Sequence, residues 1–379
     1  MDQLDPSVLP PGIDPSQVPN DIDANDLASF YYSCNEVTPL CPVEATTMGY
    51  YPTRGINIFF VIGYAIAAIV TLFFGIQKKT WSYMAFIAAG SALEMAGYSA
   101  RIPLTDNPWN KHAFETQIVA IILGPTLICI SIYLTLKHIC LSLNPALSRI
   151  RPHRYPFIFV PLDVSCLFIQ AIGGALAASA ALNNYEMVQH GNRCIIAGIV
   201  LQVVVLMFFG LSALDYYIRV RRWIKSDEAL PEALELWKDK QFRMFVYAVT
   251  GAYSGILIRC IYRIVEMAGG WGNPIMQDEP SFIVLEGFMV LIACLLLACF
   301  PPGILFPQMA ARMAARPSWS WLSKRKKDHQ VDIEQQSQPE QGSQKHTFSG
   351  DESGLGESQA KDNVSPASIT IERANKEKA

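Results

Sequence analysis

Seven long apolar stretches alternate with short polar segments along this chain of 379 residues. They lie at about 55–76, 82–102, 115–137, 157–181, 194–215, 244–266 and 282–303. Each is near or above the ~20 residues that an α-helix needs to cross a bilayer. Before the first stretch the chain is acidic and rich in Pro and Asn. From about residue 324 it is rich in Gln, Ser, Glu and Lys, with almost no large apolar side chains, and such a segment cannot bury enough surface to fold. The pattern predicts an all-α, polytopic membrane protein with seven transmembrane helices. It divides into a disordered extracellular tail (1–54), a seven-helix membrane domain (55–307), and a basic juxtamembrane segment leading to a disordered cytosolic tail (308–379).

Composition agrees with this pattern. Only 17% of residues are charged and 51% are hydrophobic, whereas soluble domains carry about 25% charge. The net charge of −3 matters less than its distribution. Lys78 and Lys79 follow the first stretch, and Lys137, Arg149, Arg151 and Arg154 follow the third. Arg219, Arg221, Arg222, Lys225, Lys238 and Lys240 follow the fifth, and Arg312, Arg316 and Lys324 to Lys327 follow the last. The alternate loops hold only Lys111 and Arg193. The bias places the N-terminus outside and the C-terminus in the cytosol. The first 54 residues lack the apolar core of a secretory leader. Cys34 and Cys41, seven apart on the outer side, are the expected disulfide, since oxidation is permitted there.

Ionisable residues inside the spans carry the chemistry, because charge at membrane depth is costly and survives where it faces protein or a wet cavity. The sixth stretch holds Arg259, Tyr262, Arg263 and Glu266. At helical spacing the two arginines and the glutamate share one face. The second stretch places Glu94, Gly97, Tyr98 and Arg101 on one face, with Glu94 about 10 Å from Arg101 along the axis. The third contains Gln117 and Pro125, and a proline there frees a carbonyl. The fourth contributes Asp163 and Gln170, the fifth Gln202, and the seventh Glu279 and Glu286. By depth, these residues describe a polar cavity opening outward or into the outer leaflet, with an acidic site deeper down. A purely structural ion-pair network is the competing reading.

The ordered set Glu94-Met-Ala-Gly97-Tyr98-Ser-Ala-Arg101, Gln117 to Pro125 to Tyr133, Asp163 with Gln170 and Gly173-Gly174, Gly198 with Gln202, and Arg259-Cys-Ile-Tyr262-Arg263-Ile-Val-Glu266 resembles the fungal RTA-like, lipid-translocating exporter family, over about residues 41–307. The chain departs from that pattern in its last helix, which carries Glu286 where the family commonly has an aspartate. The resemblance implies a multi-pass fungal plasma-membrane protein that exports sphingoid long-chain bases, phospholipids or toxic amphiphiles, conferring resistance or lipid asymmetry. An amine headgroup would sit against Glu94, Asp163, Glu266 or Glu286. A phosphate would favour Arg101, Arg259 and Arg263. The alternative is a seven-helix, receptor-like lipid sensor acting indirectly.

An enzyme is not expected, nor is a cofactor or a nucleic-acid partner. No phosphate-binding glycine loop is present. All six histidines fall in loops, tails or helix ends, the cysteines lack metal spacing, and the last helix has no lysine for a retinal Schiff base. The expected partners are membrane lipids or amphiphilic small molecules.

Overall fold

The computed structural model describes residues 34–39, 41–180, 185–226 and 230–306. The expected cytosolic tail and most of the N-terminal tail lie outside them. Among the described residues the fold is helical, and its one β feature is an isolated bridge between Thr38 and Cys41. The long helices are α1 (Arg54–Gln77), α2 (Trp81–Arg101), α3 (Lys111–Leu143), α4 (Arg154–Ala180), α5 (Tyr185–Ile224) and α7 (Lys240–Ala268), with the short α6 (Pro231–Lys238) between the last two. The final span, α8, is composite. A first turn (Glu279–Ser281) leads into a π-helical segment (Phe282–Phe288) and then regular helix (Met289–Cys299).

Six of these are both long and apolar enough to cross a membrane: α1, α3, α4, α5, α7 and the run Glu279–Leu305. Seven were expected, and the difference is α2. It has 21 residues, about 31 Å of helix, but it is not apolar enough. The physical reason is its surroundings. It packs against α1 and α3 along its length and also touches α8, so Ser91, Glu94 and Arg101 are buried in protein. Charge and polarity at membrane depth survive where they face protein in this way.

The central helix is α3. In its most apolar window 67% of residues are buried, against 28% in α1 and α4. Its 33 residues give about 50 Å of helix, so it extends beyond its apolar stretch at both ends. The Asn110 side chain caps its start, accepting from the Ala113 N–H. The most extensive pairings are α2 with α3 and α4 with α5. Tyrosines tie α8 to its neighbours: Tyr64 of α1 donates to the Gly287 carbonyl, and Tyr83 of α2 to the Leu297 carbonyl. α6 buries Ala233 and Leu236.

The end of the N-terminal tail is packed. Cys34 and Cys41 form a disulfide, a 3-10 turn covers Val43–Ala45, and Met48 is buried. Trp109 Nε1 donates to the Cys41 carbonyl, and Asn107 Nδ2 to the Asn35 carbonyl. These contacts fasten the segment to the α2–α3 loop. A cross-link over so short a loop contributes about 2 kcal/mol by restricting the unfolded chain. Cys34→Ser is therefore expected to lower the melting temperature in non-reducing detergent. Reductant should lower the wild type to the same value and leave the variant unmoved.

Candidate functional site

Arg259 is the hub of the buried polar groups. It is 3% exposed, and its Nε and Nη2 lie 2.7 and 2.6 Å from Glu286 Oε1. Its Nη2 also donates to the Ile121 carbonyl at 2.9 Å. That carbonyl is available because Pro125, four residues on, has no N–H to give it. One guanidinium thus joins the proline break of α3, the middle of α7 and the π-helical segment of α8. π segments inside α-helices recur at functional sites.

Arg263, one turn further along α7, is held by Glu266 of the same helix at 2.7 Å. The Asn273 side chain donates to the Glu266 carbonyl and to that of Gly270. Two of the three buried arginines therefore have a carboxylate of their own.

Glu94 and Arg101, the charges of α2, form no ion pair among the described residues. Glu94 is 1% exposed and packs against Gly124, where a Cβ would come within 2.6 Å of its Oε1. That oxygen has no hydrogen-bond partner among the described residues. Glu286, Arg259 and Arg263 lie within its electrostatic range. Arg101 is 2% exposed. Its guanidinium stacks on the Phe282 ring at 4.2 Å and donates Nη2–H to the Tyr50 hydroxyl. Burial pushes the Tyr50 phenol above its ordinary value while Arg101 pulls it the other way.

The remaining candidates separate. Asp163 accepts from the Tyr133 hydroxyl at 2.7 Å, linking α4 to α3. Gln170 donates to Gln202, which donates to Thr126 Oγ1, a chain across α4, α5 and α3. Tyr262 is buried with an unpartnered hydroxyl. Glu279 stands apart from the buried cluster, accepting from the N–H and hydroxyl of Thr53 at the start of α1. Spacing of seven puts Glu279 and Glu286 on one face only in a regular α-helix, and the intervening π turn changes that register.

Beside this network lies a cavity of about 930 Å³ between the first halves of α3 and α5, the second half of α4 and the end of α7. Its walls are mainly apolar, among them Phe114, Ile118, Ile122, Leu167 and Ala171. Two of the predicted site residues, Gln170 and Arg263, line it. Val119 and Phe168, also in its lining, are 57% and 65% exposed on the outside of the bundle. The cavity therefore reaches from the membrane-facing surface to the buried polar chain. The segment Thr46–Met48 and the rings of Trp109 and Trp271 border one end of it. The sequence predicts a polar cavity among the ionisable and amide residues, and the cavity found is mainly apolar and includes only Gln170 and Arg263 of them. Its one local signal is the pair of tryptophans beside apolar stretches, the usual marker of a membrane interface.

Apolar spanning helices around buried charges, with a cavity that reaches the membrane-facing surface, define a polytopic membrane protein. The chain belongs to the RTA1-like family, whose model, described as "RTA1 like protein", matches residues 87–309. Among curated proteins it is 26% identical over 295 residues to the sphingoid long-chain base transporter RSB1 of Saccharomyces cerevisiae, covering 71% of this chain and 76% of that one. It is 26% identical to Protein RTA1 of the same yeast, over 61% of this chain and 69% of that one. It is 29% identical to the yeast protoporphyrin uptake protein 1, over 57% of this chain and 68% of that one. No solved structure matches.

Proposed function

We propose that this protein moves amphiphilic lipids across the membrane in which it sits. It does so as a seven-span bundle, α2 being the seventh, with its N-terminus outside and its C-terminus in the cytosol of a fungal cell. The plasma membrane is the proposed location. The observation that carries this reading is the cavity. Its apolar walls suit a hydrocarbon chain, and its opening beside Val119 and Phe168 suits entry from lipid. Its contact with Gln170 and Arg263 offers a polar headgroup hydrogen-bonding partners at membrane depth. The names of the yeast relatives point the same way, to a long-chain base and a porphyrin, both amphiphiles. The orientation is supported by the lysines and arginines of alternate loops.

Gly174 makes the test selective. It lines the cavity, and a Cβ built there meets nothing within 4 Å. Gly174→Phe should fill the cavity and leave the bundle folded. Purified wild type in liposomes is expected to speed transbilayer movement of a fluorescent sphingoid base, and Gly174→Phe to lose most of that rate at unchanged melting temperature. No acceleration by the wild type would sink the translocation reading and favour a sensor acting through other proteins.

A further inference from the structure

Arg101 differs from the other buried arginines in having no carboxylate. Among the described residues it forms no ion pair and a single hydrogen bond, to Tyr50, though a guanidinium has five N–H bonds to satisfy. Phe282 stacks on the guanidinium at 4.2 Å, and Tyr50, its ring centroid 5.7 Å away, takes one Nη2–H with its hydroxyl, which leaves the other N–H groups of the fork. A buried cation with no carboxylate in contact is costly; Glu279 and Glu266 act at longer range, on Tyr50, and the helix C-terminus where Arg101 sits offers partial charge only.

The surroundings are rich in donors. Gln277 Nε2 is buried without an acceptor and touches the turn at Gly49, next to Tyr50. The hydroxyls of Tyr98 and Tyr262 are also buried without a partner among the described residues, the first in electrostatic range of Arg101 as well as Glu94 and Glu286, the second of Tyr50 as well as Glu266 and Glu286. Arg101 ends a helix of about 31 Å, close to the thickness of the hydrocarbon layer, and so lies near headgroup level. The segment that carries Tyr50 over Arg101 also supplies Thr46, Thr47 and Met48 to the cavity wall.

We propose that Arg101 is an oxyanion site that takes the phosphoryl group of a lipid headgroup. The lipid's chain occupies the cavity, whose wall the segment carrying Tyr50 supplies at Thr46–Met48. The planar fork matches two phosphoryl oxygens, as it would a carboxylate's. Arg259 and Arg263 are excluded from this role because Glu286 and Glu266 already hold them. The inference rests on the reading of the cavity as the place of an amphiphile's chain.

The test is binding, measured apart from transport. Wild type in nanodiscs of neutral lipid is titrated with a long-chain alkyl phosphate and with the alcohol and amine of the same chain length. The phosphate is expected to bind at least about ten-fold more tightly than the alcohol. Arg101→Gln should remove that preference, and Arg101→Lys should retain part of it. Equal binding of phosphate and alcohol to the wild type would overturn the proposal without recourse to any variant. So would tighter binding of the amine, or an unchanged preference in a folded Arg101→Gln protein. Displacement by inorganic phosphate at the same concentration as the alkyl phosphate would assign the site to the free ion and overturn the lipid assignment. Translocation that fails while the phosphate preference holds would remove the transport reading and leave the site. The reverse result would remove the site and leave transport.

Discussion

Arg259→Met is expected to destabilise the bundle by about 3–5 kcal/mol, because it leaves Glu286 charged and buried with no counter-ion. Glu286 is 1% exposed, and its other oxygen has no hydrogen-bond partner among the described residues. The Ile121 carbonyl, already deprived of a helical donor by Pro125, would lose its substitute as well. Thermal unfolding in detergent reads the loss. The double variant Arg259→Met/Glu286→Leu is expected to recover most of it, since an apolar pair of similar size replaces a buried ion pair at little net cost. Were the double variant as unstable as the single one, the loss would lie in the Ile121 contact instead of the orphaned carboxylate.

The second large effect concerns backbone contact between α4 and α5. A Cβ at Gly191 would fall 2.7 Å from the Ala177 nitrogen and 2.7 Å from the Gly173 carbonyl oxygen, both of them backbone atoms that cannot turn aside. Small residues that let backbones approach are the usual means of joining helices in a bilayer. Gly191→Leu must push the helices apart and is expected to cost about 3 kcal/mol, the upper part of the range for overpacking. It should also open the Gln170–Gln202 hydrogen bond between the same helices. Gly174→Leu, adjacent to Gly173 but facing open space, is the control and should melt with the wild type. Equal melting temperatures for the Gly191 and Gly174 variants would show that the helices part without cost.

The spans were legible because hydrocarbon imposes one requirement on all of them. The stretch at 55–76 becomes Arg54–Gln77, and that at 244–266 becomes Lys240–Ala268. The ends were less legible where a helix continues into water. α5 runs to Ile224 through Arg219, Arg221 and Arg222, residues compatible with helix although they end the apolar pattern. Within the site, helical spacing grouped Arg259, Arg263 and Glu266 on one face, yet it could not assign partners. Arg259 takes Glu286, 27 residues away, while Arg263 takes the nearer Glu266. That choice depends on how α8 is rotated, and its π-helical segment has no local signature in sequence. The fit of the Phe60 ring against Gly287, where a Cβ would lie 2.4 Å away, belongs to the packing of α1 on α8 and is invisible from either segment alone.

Mechanically, the bundle is jointed unequally. The Arg259 fork fastens α3, α7 and α8 to one another by charge-assisted bonds at the proline break. The tyrosine hydroxyls of α1 and α2 fasten those helices to α8. The tightly paired α4 and α5 meet this body through far smaller areas. Their described hydrogen bonds to its helices are few: Asp163 with Tyr133, Gln202 with Thr126, Tyr216 with the Cys140 carbonyl, and Tyr253 with the Leu206 carbonyl. A hinge opening between α3 and α4 therefore meets much less resistance than any sliding of α7 along α8. That seam, between Val119 of α3 and Phe168 of α4, is also where the cavity reaches the surface.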